Sequence, residues 1–152
     1  LDILRSRHRV VMSGRPSCAP GLFKTRDNRA GNTHFVSFDR VRGTLKRGFD
    51  MSRSIRHPFA RAVFIMFLTS EVHPFADGNG RTGRMILNQQ LINHGLLPVT
   101  IHKNSDYRQA FKLYDKNGDI SKMVHILLTG EIEAIQRLRE FKEKASGGTF
   151  RA

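Results

Sequence analysis

The sequence is poor in cysteine, in long apolar runs and in acidic residues. Its one cysteine, Cys18, cannot form a disulfide within the chain, so we expect a reducing compartment, either the cytoplasm or a host cytosol. No apolar run approaches the ~20 residues of a transmembrane helix, and no signal-peptide core opens the chain. We therefore expect no membrane span.

The shortage of Asp and Glu, 13 residues against 26 Lys and Arg, gives the chain a net charge of +13. Such an excess favours anionic partners, whether nucleic acid, an anionic membrane or an acidic protein. The basic residues are scattered along the whole sequence, and neither zinc-ligand spacing nor an aromatic RNA-binding pattern accompanies them. We therefore do not expect nucleic-acid binding, and we interpret the charge as a solvated surface that suits a nucleotide and an acidic protein target.

What the sequence does contain is enough for one compact domain. Its 152 residues, 39% hydrophobic and 26% charged, are typical of a globular fold with its own core. The Ala-Ser-Gly-Gly run at residues 145–148 predicts a disordered tail, so we place a single domain at residues 1–145 and a flexible tail at residues 146–152. Because the first residue is Leu1 rather than methionine, we expect a piece of a longer protein.

Apolar residues at intervals of three and four predict a mainly helical fold. The third predicted helix is apolar on nearly every side, which is typical of the centre of a helical bundle. Ser37 is the expected N-cap of the second helix, and Thr129 and Gly130 are expected to end the sixth. The predicted helices span residues 1–12, 38–49, 57–70, 81–93, 105–116, 119–128 and 131–144.

A different pattern occupies residues 21–36. Aromatic and threonine side chains, which favour strands, lie on both sides of a polar, glycine-containing stretch at residues 27–32. These side chains are Phe23, Thr25, Thr33 and Phe35. We interpret the segment as a small irregular hairpin, with a loop that carries a few aromatic residues as the alternative.

The stretch at residues 73–84, His-Pro-Phe-Ala-Asp-Gly-Asn-Gly-Arg-Thr-Gly-Arg, carries the candidate chemistry. Its glycines let the backbone approach a ligand closely, and a helix that begins near Arg81 directs unpaired N–H groups at anionic oxygens. Arg81 and Arg84 share one helix face, so both guanidinium groups can reach phosphates in the turn. Asp77 is a hard oxygen ligand for Mg²⁺, and His73 is the group that can take a proton near neutral pH. The pattern predicts polyphosphate chemistry.

An ordinary turn with solvated charges is the alternative, but a base, a carboxylate, a glycine turn and two arginines at this spacing favour chemistry. The stretch resembles the Fic-domain signature, His-x-Phe-x-Asp/Glu-Gly-Asn-Gly-Arg-x-x-Arg, at every fixed position. A weaker likeness extends over about residues 21–128. Fic proteins typically transfer AMP from ATP to a hydroxyl group of a target protein. The resemblance therefore implies a Mg²⁺-dependent protein adenylyltransferase with ATP as substrate.

The resemblance also implies an all-α, Fic-type helical bundle with a small β-hairpin flap over the active site. Residues 21–36 would form the flap, which aligns the target protein by strand addition, and residues 72–84 would form the catalytic loop. Tyr107 would lie near the adenosine, with ordinary helix packing as the alternative. The flap residues nearest the nucleotide and the target would be Thr33, His34 and Phe35.

Each residue of the loop takes a role from the same resemblance. His73 would deprotonate the target hydroxyl, Asp77 would hold Mg²⁺, and Phe75 would anchor the loop in the core. Arg81 and Arg84 would bind the β- and γ-phosphates of ATP. The turn that would form the anion hole for the phosphates consists of Gly78, Asn79 and Gly80.

Three alternatives stay open for the function. An enzyme of the same fold could use another phosphate-linked donor, phosphorylate its target or remove AMP, although Gly80 stands where the kinase branch carries lysine. A non-catalytic protein-binding module and a nucleic-acid-binding domain are the others. Many Fic proteins are inhibited through a Ser/Thr-x-x-x-Glu-Gly/Asn helix, and residues 1–152 contain no such sequence. We expect that helix upstream, on a partner antitoxin, or not at all, as in a bacterial toxin-like protein or effector.

Overall fold

The computed structural model describes residues 1–101 and 104–147. Within these residues the fold is mainly helical, with one short antiparallel hairpin, which confirms the predicted all-α fold with a small β-hairpin. None of the described helices is long and apolar enough to cross a membrane. The elements are α1 (Asp2–Val11), a 3₁₀ turn (Pro16–Cys18), β1 (Arg29–Ala30), β2 (Thr33–His34), α2 (Val41–Ser52), α3 (Pro58–Val72), α4 (Asn79–Asn93), α5 (Asn104–Asn117) and α6 (Ser121–Gly147).

The chain divides into two compact units, Leu1–Leu96 and a second unit that begins at Leu97. The single domain at residues 1–145 stays a prediction. The tail was predicted to begin at Ser146, but α6 continues through this residue, whose hydroxyl donates a hydrogen bond to the Lys142 carbonyl at 2.7 Å. The rest of the predicted tail, residues 148–152, lies outside the described residues.

In the first unit, α3 packs against both α2 and α4, and α1 packs against α4. Pro58 occupies the first turn of α3, where a missing N–H costs nothing, and the His57 ring accepts a hydrogen bond from the Ala60 N–H. The core of the unit draws buried side chains from all four helices and from the loop between α3 and α4. Its members are Leu4, Val41, Leu45, Ile65, Val72, Phe75 and Ile86.

The hairpin is shorter than predicted, and its first strand lies elsewhere. Arg29 pairs with His34 and Ala30 with Thr33, around a turn in which Gly31 has a φ of 58°. The strand expected around Phe23 and Thr25 does not form. The Lys24 N–H donates instead to the Pro74 carbonyl at 2.8 Å, so this part of the chain is bonded to the loop after α3.

Two helix starts also differ from the prediction. Ser37 does not cap α2: its carbonyl accepts from the Arg40 N–H at 3.0 Å in a turn, and the Phe38 N–H donates to Asp27 Oδ1 at 2.9 Å. These bonds hold the chain in a non-helical path, and α2 begins only at Val41. Helix α4 begins at Asn79 rather than at residue 81, because Gly78 already serves as its N-cap.

In the second unit, α5 packs against α6. Thr129 and Gly130 do not end a helix as predicted, since α6 runs through both. A Cβ placed on Gly130 would lie 3.3 Å from Val99 Cβ, so the glycine permits close packing of residues 97–101 rather than a helix stop. Glu131, one residue on, accepts a hydrogen bond from the Leu97 N–H at 2.9 Å.

Candidate active site

His73 ends α3 in a left-handed backbone conformation, with φ 48° and ψ 58°. Its Nδ1 lies 3.0 Å from the Ser70 carbonyl oxygen and donates to it, so in the neutral ring Nε2 carries no proton. Burial lowers the pKa of His73 below its usual value, and the Lys24 charge adds to this, while the bond to Ser70 and the Asp77 charge oppose it. A ring that stays neutral at neutral pH is suited to accept a proton.

The flap residue Phe35 stacks on His73. Their ring centroids are 3.7 Å apart, with 10° between the ring planes. Thr33 and His34 form β2, where Thr33 is half-buried and His34 is exposed. Of the three flap residues that the sequence predicted near the site, the structure therefore brings Phe35 onto the candidate base.

Asp77 lies at the end of the loop with a half-exposed carboxylate. Its Oδ1 accepts from the Gly78 N–H at 2.6 Å, while Oδ2 lies 2.8 Å from Arg15 Nη1 and 3.4 Å from Arg81 Nη2. No group of three His, Cys, Asp or Glu side chains in residues 1–101 and 104–147 could hold a metal ion. One accessible carboxylate fits Mg²⁺ at a nucleotide, because this ion commonly takes one or two protein carboxylates and fills its shell with phosphate and water oxygens.

Gly78 requires a glycine for two reasons. Its φ of 78° lies in the left-handed region, and an added Cβ would fall 2.6 Å from Met12 Sδ. The Gly78 carbonyl then accepts from both the backbone N–H and the hydroxyl of Thr82, each at 2.9 Å, which fixes the first turn of α4. The amide groups at this helix end have no acceptor inside the helix and carry the positive end of its dipole.

Asn79 is buried, and its side chain faces the loop rather than the helix end. Its Oδ1 accepts from the Phe75 N–H and its Nδ2 donates to the Phe75 carbonyl, both at 2.9 Å. Since both polar atoms of the side chain are used in this way, Asn79 can serve an anion hole through its backbone N–H. Gly80 follows in the first turn of α4, where the nearest neighbour of its Cβ position is Arg84 Nη1 at 3.6 Å.

Both motif arginines start from the beginning of α4. Arg81 is exposed and approaches Asp77 as described above. The Arg84 side chain points back toward the N-terminal end of α4. Its Nη1 lies 3.6 Å from the position that a Cβ on Gly80 would occupy. Two guanidinium groups and the helix dipole therefore concentrate positive charge at one end of α4, where polyphosphate would be stabilised.

Tyr107 lies on α5, in the second unit. Its side chain is buried and meets Phe111 edge-to-face, with ring centroids 5.1 Å apart. This contact is the helix packing that was the alternative for Tyr107, and its role near the adenosine stays a prediction.

Residues from the first part of the chain also contact the loop, and the sequence did not predict these contacts. Arg15 reaches Asp77 across 62 positions of sequence. Lys24, whose pKa is lowered by burial, donates to Asn28 Oδ1 at 2.6 Å, and Asn28 in turn donates to the Phe75 carbonyl at 3.0 Å. His8 packs flat against Phe75. Their spacing from the motif is too long for any local pattern to reveal them.

Comparison with known proteins points the same way as the motif. A model of the Fic/DOC family matches residues 1–91. A Fido domain-containing protein of Dictyostelium discoideum is 30% identical over 119 residues, which cover 71% of this chain and 83% of that protein. Protein adenylyltransferase fic-1 of Caenorhabditis elegans is 29% identical over 142 residues, covering 90% of this chain and 28% of that protein.

Solved structures agree in fold. Fic-1 of C. elegans (residues 134–508) superposes with a TM-score of 0.80 at 26% identity, covering 95% of this chain and 44% of that one. A Fic domain-containing signaling protein of Bacteroides thetaiotaomicron gives 0.78 at 19% identity, covering 99% and 65%, and this likeness concerns the fold alone. The chain thus spans about a quarter of the curated nematode adenylyltransferase and less than half of its solved structure.

Proposed function

The chain belongs to the Fic/DOC family, and we propose on that basis that it transfers AMP from ATP to a Ser, Thr or Tyr hydroxyl group of a target protein. Relatives named protein adenylyltransferase support this assignment. The arrangement that carries it is the pairing of a candidate base with an anion-binding helix end. His73 ends α3, Gly78 caps α4, and the loop between them is fixed in the core by Phe75, which is fully buried.

In the proposed reaction, His73 is the base and the start of α4 binds the phosphates. Nε2 of His73 takes the proton of the target hydroxyl, and the hydroxyl oxygen forms a bond to the α-phosphorus of ATP. The bond from that phosphorus to the bridging oxygen breaks, and pyrophosphate leaves with the electron pair. Transfer of this kind depends mainly on positioning and on neutralising charge, which the start of α4 can supply.

Arg81 and Arg84 would hold the phosphates that become pyrophosphate, and Asp77 would hold Mg²⁺ against them. The metal ion would neutralise charge on the phosphate oxygens as the leaving group departs. The backbone N–H groups at residues 79–81 would bind the same oxygens.

Parallel labelling with ATP carrying ³²P at the α- or the γ-phosphate tests the proposal. The chain is incubated with Mg²⁺ and a protein lysate, and His73→Ala serves as the control. We compare the labelling that the unmodified chain adds over the His73→Ala control, and we expect this added labelling from the α-label alone. Labelling from the γ-label alone would identify a kinase. Labelling from neither across a broad range of target proteins would contradict an enzyme and favour a protein-binding module.

A further inference from the structure

The imidazole of His8, on α1, is fully buried against the candidate active-site loop. It lies parallel to the Phe75 ring, with centroids 3.7 Å apart and 2° between the planes. Its Nε2 is 2.9 Å from the Asp77 carbonyl oxygen, and its Nδ1 is 2.9 Å from the Gly21 nitrogen. Both ring nitrogens and the ring face are thus used in contacts with the loop or with the segment that leads to the flap.

These partners fix the position of the proton on the ring. The Gly21 N–H can only donate and the Asp77 carbonyl can only accept, so Nδ1 must be the acceptor and Nε2 must carry the hydrogen. His8 is therefore a neutral ring with one defined tautomer.

The hydrogen bond from His8 is made to the peptide group that joins Asp77 to Gly78, directly before α4. The carbonyl of Asp77 and the N–H of Gly78 belong to one planar unit. His8 donates to the carbonyl end of this unit, and the N–H end donates to Asp77 Oδ1 at 2.6 Å. Holding the carbonyl therefore also directs the N–H that orients the carboxylate.

Close packing leaves this peptide little freedom. A Cβ on Gly78 would lie 2.6 Å from Met12 Sδ and 3.3 Å from His8 Nε2, so α1 packs directly on the turn. The other nitrogen of His8 holds Gly21, and three residues later the Lys24 N–H donates to the Pro74 carbonyl. One ring connects the carboxylate peptide with the segment that leads into the hairpin.

We propose that His8 is a positioning residue for the active site, in which its Nε2–H fixes the Asp77–Gly78 peptide and thereby the orientation of the Asp77 carboxylate. The kinetic part of this inference rests on the proposed AMP transfer and on the assignment of Asp77 to Mg²⁺. Residues that hydrogen-bond to metal ligands from behind typically change metal affinity or activity about 10- to 100-fold when they are replaced. An effect of this size on the Mg²⁺ requirement would set a positioning role apart from simple core packing.

Three substitutions separate the contacts of His8. His8→Gln can place its amide NH₂ near the Nε2 position and so can still donate to the Asp77 carbonyl. His8→Asn reaches only the Nδ1 position, and His8→Phe keeps the stacked ring without either hydrogen bond. Leu4→Ala, at a buried α1 position that belongs to the core cluster, is the control for a general loss of packing.

For each variant we would measure the melting temperature, kcat, KM for ATP and the Mg²⁺ concentration that gives half-maximal transfer. We expect His8→Asn and His8→Phe to raise the Mg²⁺ requirement about tenfold or more and to lower kcat, with KM for ATP changed much less. In His8→Gln, the Mg²⁺ concentration for half-maximal transfer should lie close to that of the unmodified chain. Leu4→Ala should lower the melting temperature and leave the Mg²⁺ requirement unchanged. Equal Mg²⁺ requirements in all four variants, or changes that only follow the melting temperature, would overturn the proposal.

A measurement on the unmodified chain covers the cases in which a variant does not fold or no transfer is found. In protein carrying ¹⁵N-labelled histidine, NMR at neutral pH reports which ring nitrogen of His8 carries hydrogen. We expect hydrogen on Nε2, protected from exchange with water. Hydrogen on Nδ1, or rapid exchange, would refute the arrangement. If the chain transfers no AMP but His8 has the expected tautomer, the proposed function fails while the contact of His8 with the loop stands.

Discussion

The ring of Phe35 lies parallel to the ring of His73, with 3.7 Å between their centroids. Phe35 follows directly after β2, so the end of the hairpin covers the candidate base. This cover contributes to the burial that lowers the pKa of His73. The flap therefore helps to set the pKa of the His73 imidazole, in addition to any part in holding a target segment.

The first prediction follows from this contact. A base works in its neutral form, so activity should rise with pH through the pKa of His73, which lies below 6.5 in the unmodified chain. Phe35→Ala exposes the ring and should move the acid limb of the pH profile upward toward 6.5. Because a base with a pKa near 6.5 is still mostly neutral at pH 7, kcat at that pH should fall by less than about twofold, and the main effect should appear at acid pH. Phe35→Tyr, which keeps the stacked ring, should leave the profile unchanged, and an unshifted profile in Phe35→Ala would contradict the role of the cover.

A second prediction concerns His73 itself. Removing a general base typically costs about 10²- to 10⁴-fold in rate, so His73→Ala should lose AMP transfer while ATP affinity stays within a few-fold. His94 is a matched control, because its Nδ1 also bonds to a backbone carbonyl, that of Gln90, at a helix end. His94→Ala should transfer AMP normally. Comparable turnover in both variants would remove His73 from the mechanism.

The features that the sequence predicted correctly are those set by neighbouring residues. The apolar helix before the motif predicted α3, and the glycines of the motif predicted the turn that precedes α4. The roles of His73, Arg81 and Arg84 stay predictions. Phe75 was expected in the core from the resemblance and is fully buried there. Local spacing is enough for these features, because all of them lie on α3, on α4 or on the loop between them.

The features that the sequence did not predict depend on contacts between distant segments. The bond from Lys24 to Pro74 decides that residues 22–25 do not form a strand, and it joins segments about fifty residues apart. Gly130 resembles a helix stop in sequence, yet packing against Val99 gives it another use. These outcomes depend on tertiary contacts, and the propensity of the residue itself does not predict them.

A third prediction tests the turn at the start of α4. Gly78→Ala puts a side chain into a left-handed position and against Met12, so it should reduce the free energy of unfolding by about 1–3 kcal/mol and impair transfer. Gly43 is the contrasting control, since it lies inside α2 with open space around its Cβ position. Gly43→Ala should raise stability by about 0.5–1 kcal/mol. Chemical denaturation of the two variants measures both values, and equal effects would contradict the requirement for glycine at residue 78.

The last prediction concerns the ion pair between Arg15 and Asp77, whose atoms Nη1 and Oδ2 are 2.8 Å apart. If Asp77 holds Mg²⁺, the guanidinium competes with the metal ion for the same carboxylate oxygen and adds an unfavourable positive charge. Arg15→Ala should therefore lower the Mg²⁺ concentration needed for half-maximal transfer. Both side chains are about half-exposed, and exposed pairs contribute about 0.2–1 kcal/mol, so the decrease should be at most about fivefold.

Arg53→Ala, which removes an exposed pair with Asp50, should leave the Mg²⁺ requirement unchanged. The competition requires the carboxylate, so in an Asp77→Ala background, where activity itself should need far more Mg²⁺, Arg15→Ala should give no further decrease. A higher Mg²⁺ requirement in Arg15→Ala alone would show instead that the arginine orients the carboxylate for the metal ion.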